Sequence, residues 1–205
     1  LTVSSQDFVA RAIARKNGGS VAALHASNNS LVSFEGSNAR LYAESAVDRT
    51  DARYTVAAAR VENGATLVVS PATQFNLQVG INDKATYNDQ LRSYGLKVEA
   101  GYARIQSHQT NIEVKALSNA AGINIRPNPA DEDKGGGADV PPSVVLAGNR
   151  TNIWVTSKNR DAYGIYSAVP KGWESPLKDV IKDESHPEWR AASESFWNVL
   201  AVGNS

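Results

Sequence analysis

Residues 54–69 decide the predicted fold, and they read Tyr-Thr-Val-Ala-Ala-Ala-Arg-Val-Glu-Asn-Gly-Ala-Thr-Leu-Val-Val. Apolar and polar side chains alternate from Tyr54, which is typical of a strand with one buried face. Asn63 and Gly64 then separate this run from a second β-prone run. Asn-Gly between two such runs is a strong hairpin signal, because both residues adopt positive φ readily. We therefore expect residues 54–69 to form an antiparallel hairpin.

The same two-residue period continues to both sides of this stretch. It is present in residues 74–79, in residues 96–102 and in residues 112–116. We expect segments 96–107 and 109–117 to pair as a second hairpin. Several short strands with turn signals between them favour an antiparallel sheet or sandwich.

The N-terminal segment carries the signals of a helix. Ser4 precedes Asp7, an acid in the first turn, and Asn17-Gly18-Gly19 follows a basic end. Val9 and Ile13 lie four residues apart and give one apolar stripe. The sequence therefore predicts an N-terminal helix, and a second short helix over residues 84–94.

Aromatic side chains are concentrated near the C-terminus. A helix is predicted from about residue 173 and another from about residue 187, with Trp189, Phe196, Trp197 and Leu200 at or near helical spacing. Adjacent helical residues point about 100° apart. One face of the helix can therefore pack against its own domain while another face binds a partner protein. Because Trp is enriched at interfaces, we expect Trp189, Phe196 and Trp197 to form a partner-binding surface. The alternative is that these large aromatics close over the sheet and complete a lean core.

Residues 127–142 divide the chain by composition. Prolines bracket an acidic patch and three glycines there, without apolar periodicity. Such a segment is typical of a flexible loop or arm. The predicted organisation is a helix plus β-rich domain over 1–126, the arm over 127–142, and short strands with aromatic helices over 143–205, packed on the same domain. The predicted fold class is thus α+β: an antiparallel sheet or sandwich with an N-terminal helix and C-terminal helices.

Composition excludes several classes of function. The 21 basic and 21 acidic residues give a formal net charge of zero, so nothing attracts nucleic acid or an anionic membrane over long range. No stretch approaches the ~20 apolar residues that span a bilayer. Without cysteine there is no disulfide, thiol nucleophile or iron–sulfur cluster. Leu1 in place of an initiator methionine suggests a processed or trimmed chain, and virion or extracellular locations are slightly favoured.

Catalytic and metal-binding patterns are weak. The three histidines, His25, His108 and His186, stand far apart, and structural or surface roles explain them. A glycosidase needs two carboxylates, and Glu99 and Glu113 would lie on neighbouring strands of the second hairpin. Lys97 and Lys115 accompany them with the same parity, however, which favours a solvated face decorated with charges.

An acidic group in the arm is the remaining candidate for a cation site. Asp131, Glu132, Asp133 and Asp139 do not match the order of a calcium-binding loop. A solvated acidic loop explains them better. No catalytic residue, metal ligand or cofactor is therefore predicted.

The sequence favours a non-enzymatic structural or assembly subunit. A neutral surface, a modest core, an arm and an aromatic terminal helix suggest a virion component, such as a bacteriophage-like capsid, tail or decoration protein. The expected partners are copies of itself or other structural subunits. Two alternatives stay open: a glycan-acting hydrolase that uses a carboxylate pair, and a carbohydrate- or peptide-binding module.

Overall fold

The computed structural model describes residues 1–14, 20–45, 54–81, 91–126, 142–168 and 199–201. These residues form β-strands and turns, and no helix occurs among them. The strands are β1 (Thr2–Val3), β2 (Asp7–Ala14), β3 (Val21–Ala26), β4 (Leu31–Phe34), β5 (Asn38–Ser45), β6 (Tyr54–Glu62), β7 (Thr66–Val69), β8 (Gln74–Ile81), β9 (Leu91–Glu99), β10 (Tyr102–Ile105), β11 (Gln109–Ala116), β12 (Asn119–Arg126), β13 (Ser143–Leu146), β14 (Arg150–Ser157), β15 (Ala162–Ser167) and β16 (Val199–Ala201).

Each strand pairs in parallel with the strand three places further along the chain. Sheet A has the order β1-β4-β7-β10-β13-β16, sheet B has β2-β5-β8-β11-β14, and sheet C has β3-β6-β9-β12-β15. Three consecutive strands therefore make one coil, and coil 1 is β1–β3 while coil 5 is β13–β15. This winding defines a parallel β-helix, a solenoid in which each coil contacts its neighbours.

The predicted α+β class with antiparallel sheets is therefore wrong, and the turn at Asn63 shows why. Asn63 and Gly64 do have positive φ, at 51° and 76°. The backbone N–H of Asn63 donates to the carbonyl of Glu99 at 3.1 Å, and that of Gly64 donates to Ala100 at 2.6 Å. These bonds reach the same corner of the next coil. The turn therefore carries the chain from sheet C into sheet A instead of folding it back as a hairpin.

The predicted second hairpin is wrong for the same reason. Segment 96–107 is divided between β9 and β10, with Ala100 at a positive φ of 50° in the corner between them. The following β11 belongs to sheet B, so three consecutive strands lie in three different sheets. The sequence predicts strands within segments 96–107 and 109–117, and this is confirmed, but alternation does not determine which strand is the partner.

The predicted N-terminal helix is also wrong, because residues 7–14 form β2. This strand pairs with β5 along its whole length, from Asp7 against Asn38 to Ala14 against Ser45. Phe8 and Ala10 pack against the core, whereas the Val9 side chain is 66% exposed. A lone helix of this length is marginal in water, so the pairing with β5 prevails over the capping signals.

The other predicted helices fall partly or wholly outside the described residues. Residues 84–90 lie outside them, and residues 91–94 belong to β9. Residues 173–198 also lie outside, but 199–201 form β16, which places Leu200 in a strand beside Val145. The arm at 127–142 lies outside the described residues except for its last residue. The β-rich character that the sequence predicts is confirmed.

The core consists of columns of stacked side chains that follow the register. Leu41, Leu77 and Ile112 are buried neighbours in sheet B, and Leu96 and Ile123 are buried neighbours in sheet C. A corner column stacks Phe8, Phe34 and Phe75, with successive ring centroids 5.5 and 5.6 Å apart. Burial of such columns supplies the hydrophobic stabilisation of the solenoid.

An amide ladder crosses the outer face of sheet B. Each asparagine side chain donates an N–H to the side-chain oxygen of the residue in the preceding coil. The order of donors is Asn152, Asn111, Asn76 and Asn38, and the last acceptor is the carboxylate of Asp7. The donor–acceptor distances are between 2.9 and 3.2 Å. Because each amide bridges two coils, the ladder fixes the register between them.

Sheet C contains a column of small residues that shapes its outer face. A Cβ atom at Gly95 would lie 2.2 Å from Ile112 Cγ2, and one at Gly122 would lie 2.2 Å from Ile153 Cγ2. Each glycine is followed by a core residue, so two consecutive positions face the interior. The side chains on either side of this pair then point outward.

Candidate functional site

The last three strands of sheet C repeat one short pattern. Tyr-Gly-Leu-Lys at 94–97, Ala-Gly-Ile-Asn at 121–124 and Tyr-Gly-Ile-Tyr at 163–166 lie side by side. The register therefore aligns Tyr94, Ala121 and Tyr163 in one outer column. Because alanine stands between two tyrosines, the face is open above Ala121.

A pocket of about 210 Å³ occupies this opening. It is lined by Arg92, Tyr94, Asn119, Ala120, Ala121, Asn124, Asp161, Tyr163 and Tyr166. Pockets for drug-sized ligands occupy roughly 300–1,000 Å³. This volume therefore suits one small ring and not a large cofactor.

Three tyrosines form the apolar part of the pocket. Tyr163 and Tyr166 pack with ring centroids 5.2 Å apart, and Tyr166 also packs against the buried pair Tyr94 and Ala121. Tyr163 is the exposed member of the group. Tyrosine offers both an apolar ring and a hydroxyl, so the wall can contact an amphipathic ring.

The hydroxyls of Tyr94 and Tyr163 stay protonated and able to donate. Burial raises the pKa of Tyr94, and the neighbouring charge of Arg92 opposes this only in part. The negative charge of Asp161 raises the pKa of Tyr163, whose hydroxyl donates to Asp161 Oδ2 at 3.3 Å. Both phenols are therefore neutral at physiological pH.

Asn124 supplies an unmet hydrogen-bond acceptor at the pocket. Its residue is 3% exposed, and its Oδ1 atom is buried without a hydrogen-bond partner. A buried polar atom without a partner costs about 1–3 kcal/mol. Because Asn124 is a lining residue of the pocket, a ligand bound there is a candidate partner for this oxygen.

A charged network lies beside the pocket on the same outer face of sheet C. The Glu62 carboxylate contacts Arg60, His25 Nε2 at 3.1 Å and Lys97 Nζ at 3.5 Å, and Lys97 also contacts Glu99. Burial raises the pKa of Glu62, but hydrogen bonding and attraction from Arg60 outweigh this, with further attraction from Lys97. The pKa of Glu62 therefore lies below its ordinary value, and the carboxylate is ionised and well paired.

The carboxylate pair suggested for hydrolysis is not brought together. Glu99 is on the outer face of sheet C, where it contacts Lys97. Glu113 is on the outer face of sheet B, where its carboxylate contacts Lys115 Nζ at 2.7 Å and accepts from Gln78 Nε2 at 3.1 Å. Each Glu lies beside the Lys two positions away. The solvated face that the sequence favoured describes the exposed pair Glu113 and Lys115, but it is wrong for Glu99 and Lys97, which are buried.

The other residues singled out in the sequence have ordinary surroundings or lie outside the described parts. His25 contacts Glu62, and the Nδ1 of His108 lies 3.1 Å from Asn149 Nδ2 in a corner. The predicted partner-binding residues lie outside the described residues: Trp189, Phe196 and Trp197. The same holds for His186 and for the acidic group at 131–133 and 139.

The described part of the chain contains neither a cluster of metal-ligating residues nor a membrane-spanning helix. No group of three or more His, Asp or Glu residues there could hold a metal ion. No helix within these ranges is long and apolar enough to cross a bilayer.

The tyrosine pocket was missed in the sequence because its repeat is irregularly spaced. The glycine of the repeat occurs at residues 95, 122 and 164, and loops of different length separate the copies. The recoverable signal was a small residue before a core aliphatic, with aromatic or polar residues on either side. Aligning the segments on that glycine places the tyrosines and Asn124 together.

Comparisons of the chain with protein families, with curated proteins and with solved structures give no significant match. Function must therefore be argued from the pocket itself.

Proposed function

We propose that this protein is a non-enzymatic carbohydrate-binding module whose site is the pocket above Ala121. One observation carries the proposal: Asn124, whose buried Oδ1 atom has no hydrogen-bond partner, lines a pocket walled by three tyrosines. A sugar ring has hydroxyls that can donate to this oxygen and C–H faces that can pack on tyrosine. The ligand thereby satisfies the buried atom and covers the apolar wall.

The other pocket residues suit the same class of ligand. Arg92 donates hydrogen bonds, Asp161 accepts them, and Asn119 does both, so hydroxyls at several positions find partners. Asp161 is the one carboxylate among the described residues that line the pocket. Because glycoside hydrolysis ordinarily uses two carboxylates, this arrangement favours binding over cleavage.

Filling the pocket should abolish sugar binding. The Ala121→Leu variant places a larger side chain among the pocket-lining residues, where Ala121 packs with Tyr94 and Tyr166 on the outer face of sheet C. Saturation-transfer NMR with glucose, galactose, N-acetylglucosamine and glucuronate should detect binding of at least one sugar to the native chain, and at least a tenfold loss in the variant. Ala22→Leu, in the same column but outside the pocket, is the matched control.

A second variant tests the pocket in case Ala121→Leu folds poorly. Tyr163→Ala truncates the exposed wall and should weaken binding several-fold while circular dichroism stays unchanged. The proposal is rejected if none of the four sugars binds the native chain, or if both pocket variants bind as well as Ala22→Leu.

A second candidate, a structural subunit that self-associates, rests on exposed apolar side chains. The exposed large apolar residues of the described part lie on coil 1, at the start of coil 2 or on coil 5: Leu1, Val9, Ile13, Leu31, Trp154 and Tyr163. Strand β2 is an edge of sheet B, and edge strands can pair with another chain. Nothing in the described residues bears on the narrower prediction of a virion component, which stays a prediction.

Self-association should depend on Val9. If two copies of β2 pair antiparallel about Val9, Asp7 of one copy faces Arg11 of the other, and the opposite charges match. Light scattering at about 100 μM should then give a mass above the 21.9 kDa of one chain, and Val9→Lys should restore the monomer. A monomeric native chain at that concentration argues against this candidate.

A further inference from the structure

Arg126 presents a second unmet group next to the pocket. It follows Asn124 by two residues at the end of β12, beside Glu99 of β9 in the register. Its Nε atom is buried without a hydrogen-bond partner. An unpaired donor thus accompanies the unpaired acceptor of Asn124, so a ligand that satisfies both must carry a donor and an acceptor.

The neighbourhood of Tyr94 contains two guanidinium groups. Arg92 lines the pocket and hydrogen-bonds the Tyr94 side chain, and the charge of Arg126 also acts on this phenol. Arg92 therefore belongs to the wall of the pocket, and Arg126 is near enough to Tyr94 for its charge to act there, outside the lining residues. Two such groups close together favour an anion between or beside them.

Basic side chains outnumber acidic ones on the outer face of sheet C. Glu62 is paired with Arg60 and Lys97, and Glu99 is paired with Lys97. Asp161, the remaining acid of this face, accepts from Tyr163. Four basic side chains, Arg60, Arg92, Lys97 and Arg126, thus meet three acidic ones among the described residues of this face.

We propose that the ligand is an acidic sugar, a uronate, whose carboxylate binds Arg126 while a hydroxyl donates to Asn124 Oδ1. This inference rests on the proposed carbohydrate-binding function. A planar carboxylate matches the forked guanidinium group and can accept two parallel hydrogen bonds. The uronate ring then packs against the tyrosine wall, where a neutral sugar would leave Arg126 Nε unpaired.

The test compares two sugars that differ at one carbon. Glucuronate carries a carboxylate where glucose carries a hydroxymethyl group, and both are titrated into the full chain by NMR. Glucuronate should bind about tenfold more tightly, because a charge-assisted hydrogen bond is stronger than a neutral one. Arg126→Gln should remove this preference, whereas Arg40→Gln, an exposed arginine on sheet B, should keep it.

Two further variants keep the inference testable if Arg126→Gln folds poorly. Arg126→Lys keeps the charge without the fork and should retain part of the preference. Asn124→Asp replaces the amide oxygen by a carboxylate, in addition to that of Asp161. The variant should weaken the binding of glucuronate more than the binding of glucose, because like charges repel.

The outcomes separate this inference from the proposed function. Equal binding of glucose and glucuronate to the native chain overturns the uronate assignment and leaves carbohydrate binding standing. A preference for glucuronate that survives in Arg126→Gln overturns the role of Arg126. If neither sugar binds, nor galactose or N-acetylglucosamine, both proposals fail together.

Discussion

Replacing Gly122 by alanine should lower the free energy of unfolding by about 3 kcal/mol, because the added methyl group overpacks the core. Its Cβ atom would lie 2.2 Å from Ile153 Cγ2 and 2.7 Å from the carbonyl oxygen of Gly164. The second contact is with backbone, so rotation of a side chain cannot relieve it. To admit the methyl group, sheet B must move away from sheet C at Ile153, and the neighbouring strand of sheet C must shift at Gly164.

Gly164 is the matched control, since it occupies the same column in coil 5. A Cβ atom there meets nothing within 4 Å. Gly164→Ala should leave stability unchanged or raise it slightly, because alanine loses less backbone entropy on folding. Urea unfolding followed by circular dichroism measures both variants. Equal midpoints for Gly122→Ala and the native chain would show that the sheets are not packed as closely as described.

Replacing Glu62 by glutamine should lower the free energy of unfolding by about 2–3 kcal/mol at neutral pH. Breaking a buried ion pair from one side typically costs about 3–5 kcal/mol. The loss is smaller here because Lys97 keeps Glu99, and Arg60 retains access to water. Glu113→Gln is the control, since its exposed carboxylate pairs with Lys115 and should contribute less than about 1 kcal/mol.

The effect of Glu62→Gln should also depend on pH. The folded state holds the pKa of Glu62 below its ordinary value, so folding favours the ionised carboxylate. Its contribution is therefore complete above about pH 4.3 and is lost as pH falls through the lowered pKa. Urea midpoints of the native chain and the variant should converge in strong acid. A difference that is the same at pH 3 and pH 7 would contradict this account of the network.

The strand content could be predicted from the sequence, whereas the pairing could not. Asn63 and Gly64 favour positive φ in a hairpin and in a solenoid corner alike, and only partners a full coil away distinguish the two. Those partners lie at Glu99 and Ala100, too far along the chain for a local pattern to reveal. The predicted helix around Asp7 is wrong for a similar reason: β2 pairs with β5 along its whole length, and this partner is distant in the sequence.

The pocket could not be predicted for a related reason. Tyr94, Asn124 and Tyr163 come from three coils and meet only because loops of unequal length return each strand to the same column. The alternation of Lys97 and Glu99 is visible in the sequence, but their burial is not, because burial depends on side chains of neighbouring coils. The unpaired state of Asn124 Oδ1 depends on burial, which the residue type alone does not determine.

The column that aligns Tyr94, Ala121 and Tyr163 has a consequence for how such a site can change. Its two tyrosines are separated by two strand spacings, about 9.6 Å of backbone, and backbone hydrogen bonds fix that spacing. The distance between the backbones that carry Tyr94 and Tyr163 can therefore change only by whole coils, and never by fractions of an ångström. Selectivity among ligands of similar size must therefore come from substitution of individual side chains, while the spacing of the backbone strands stays constant.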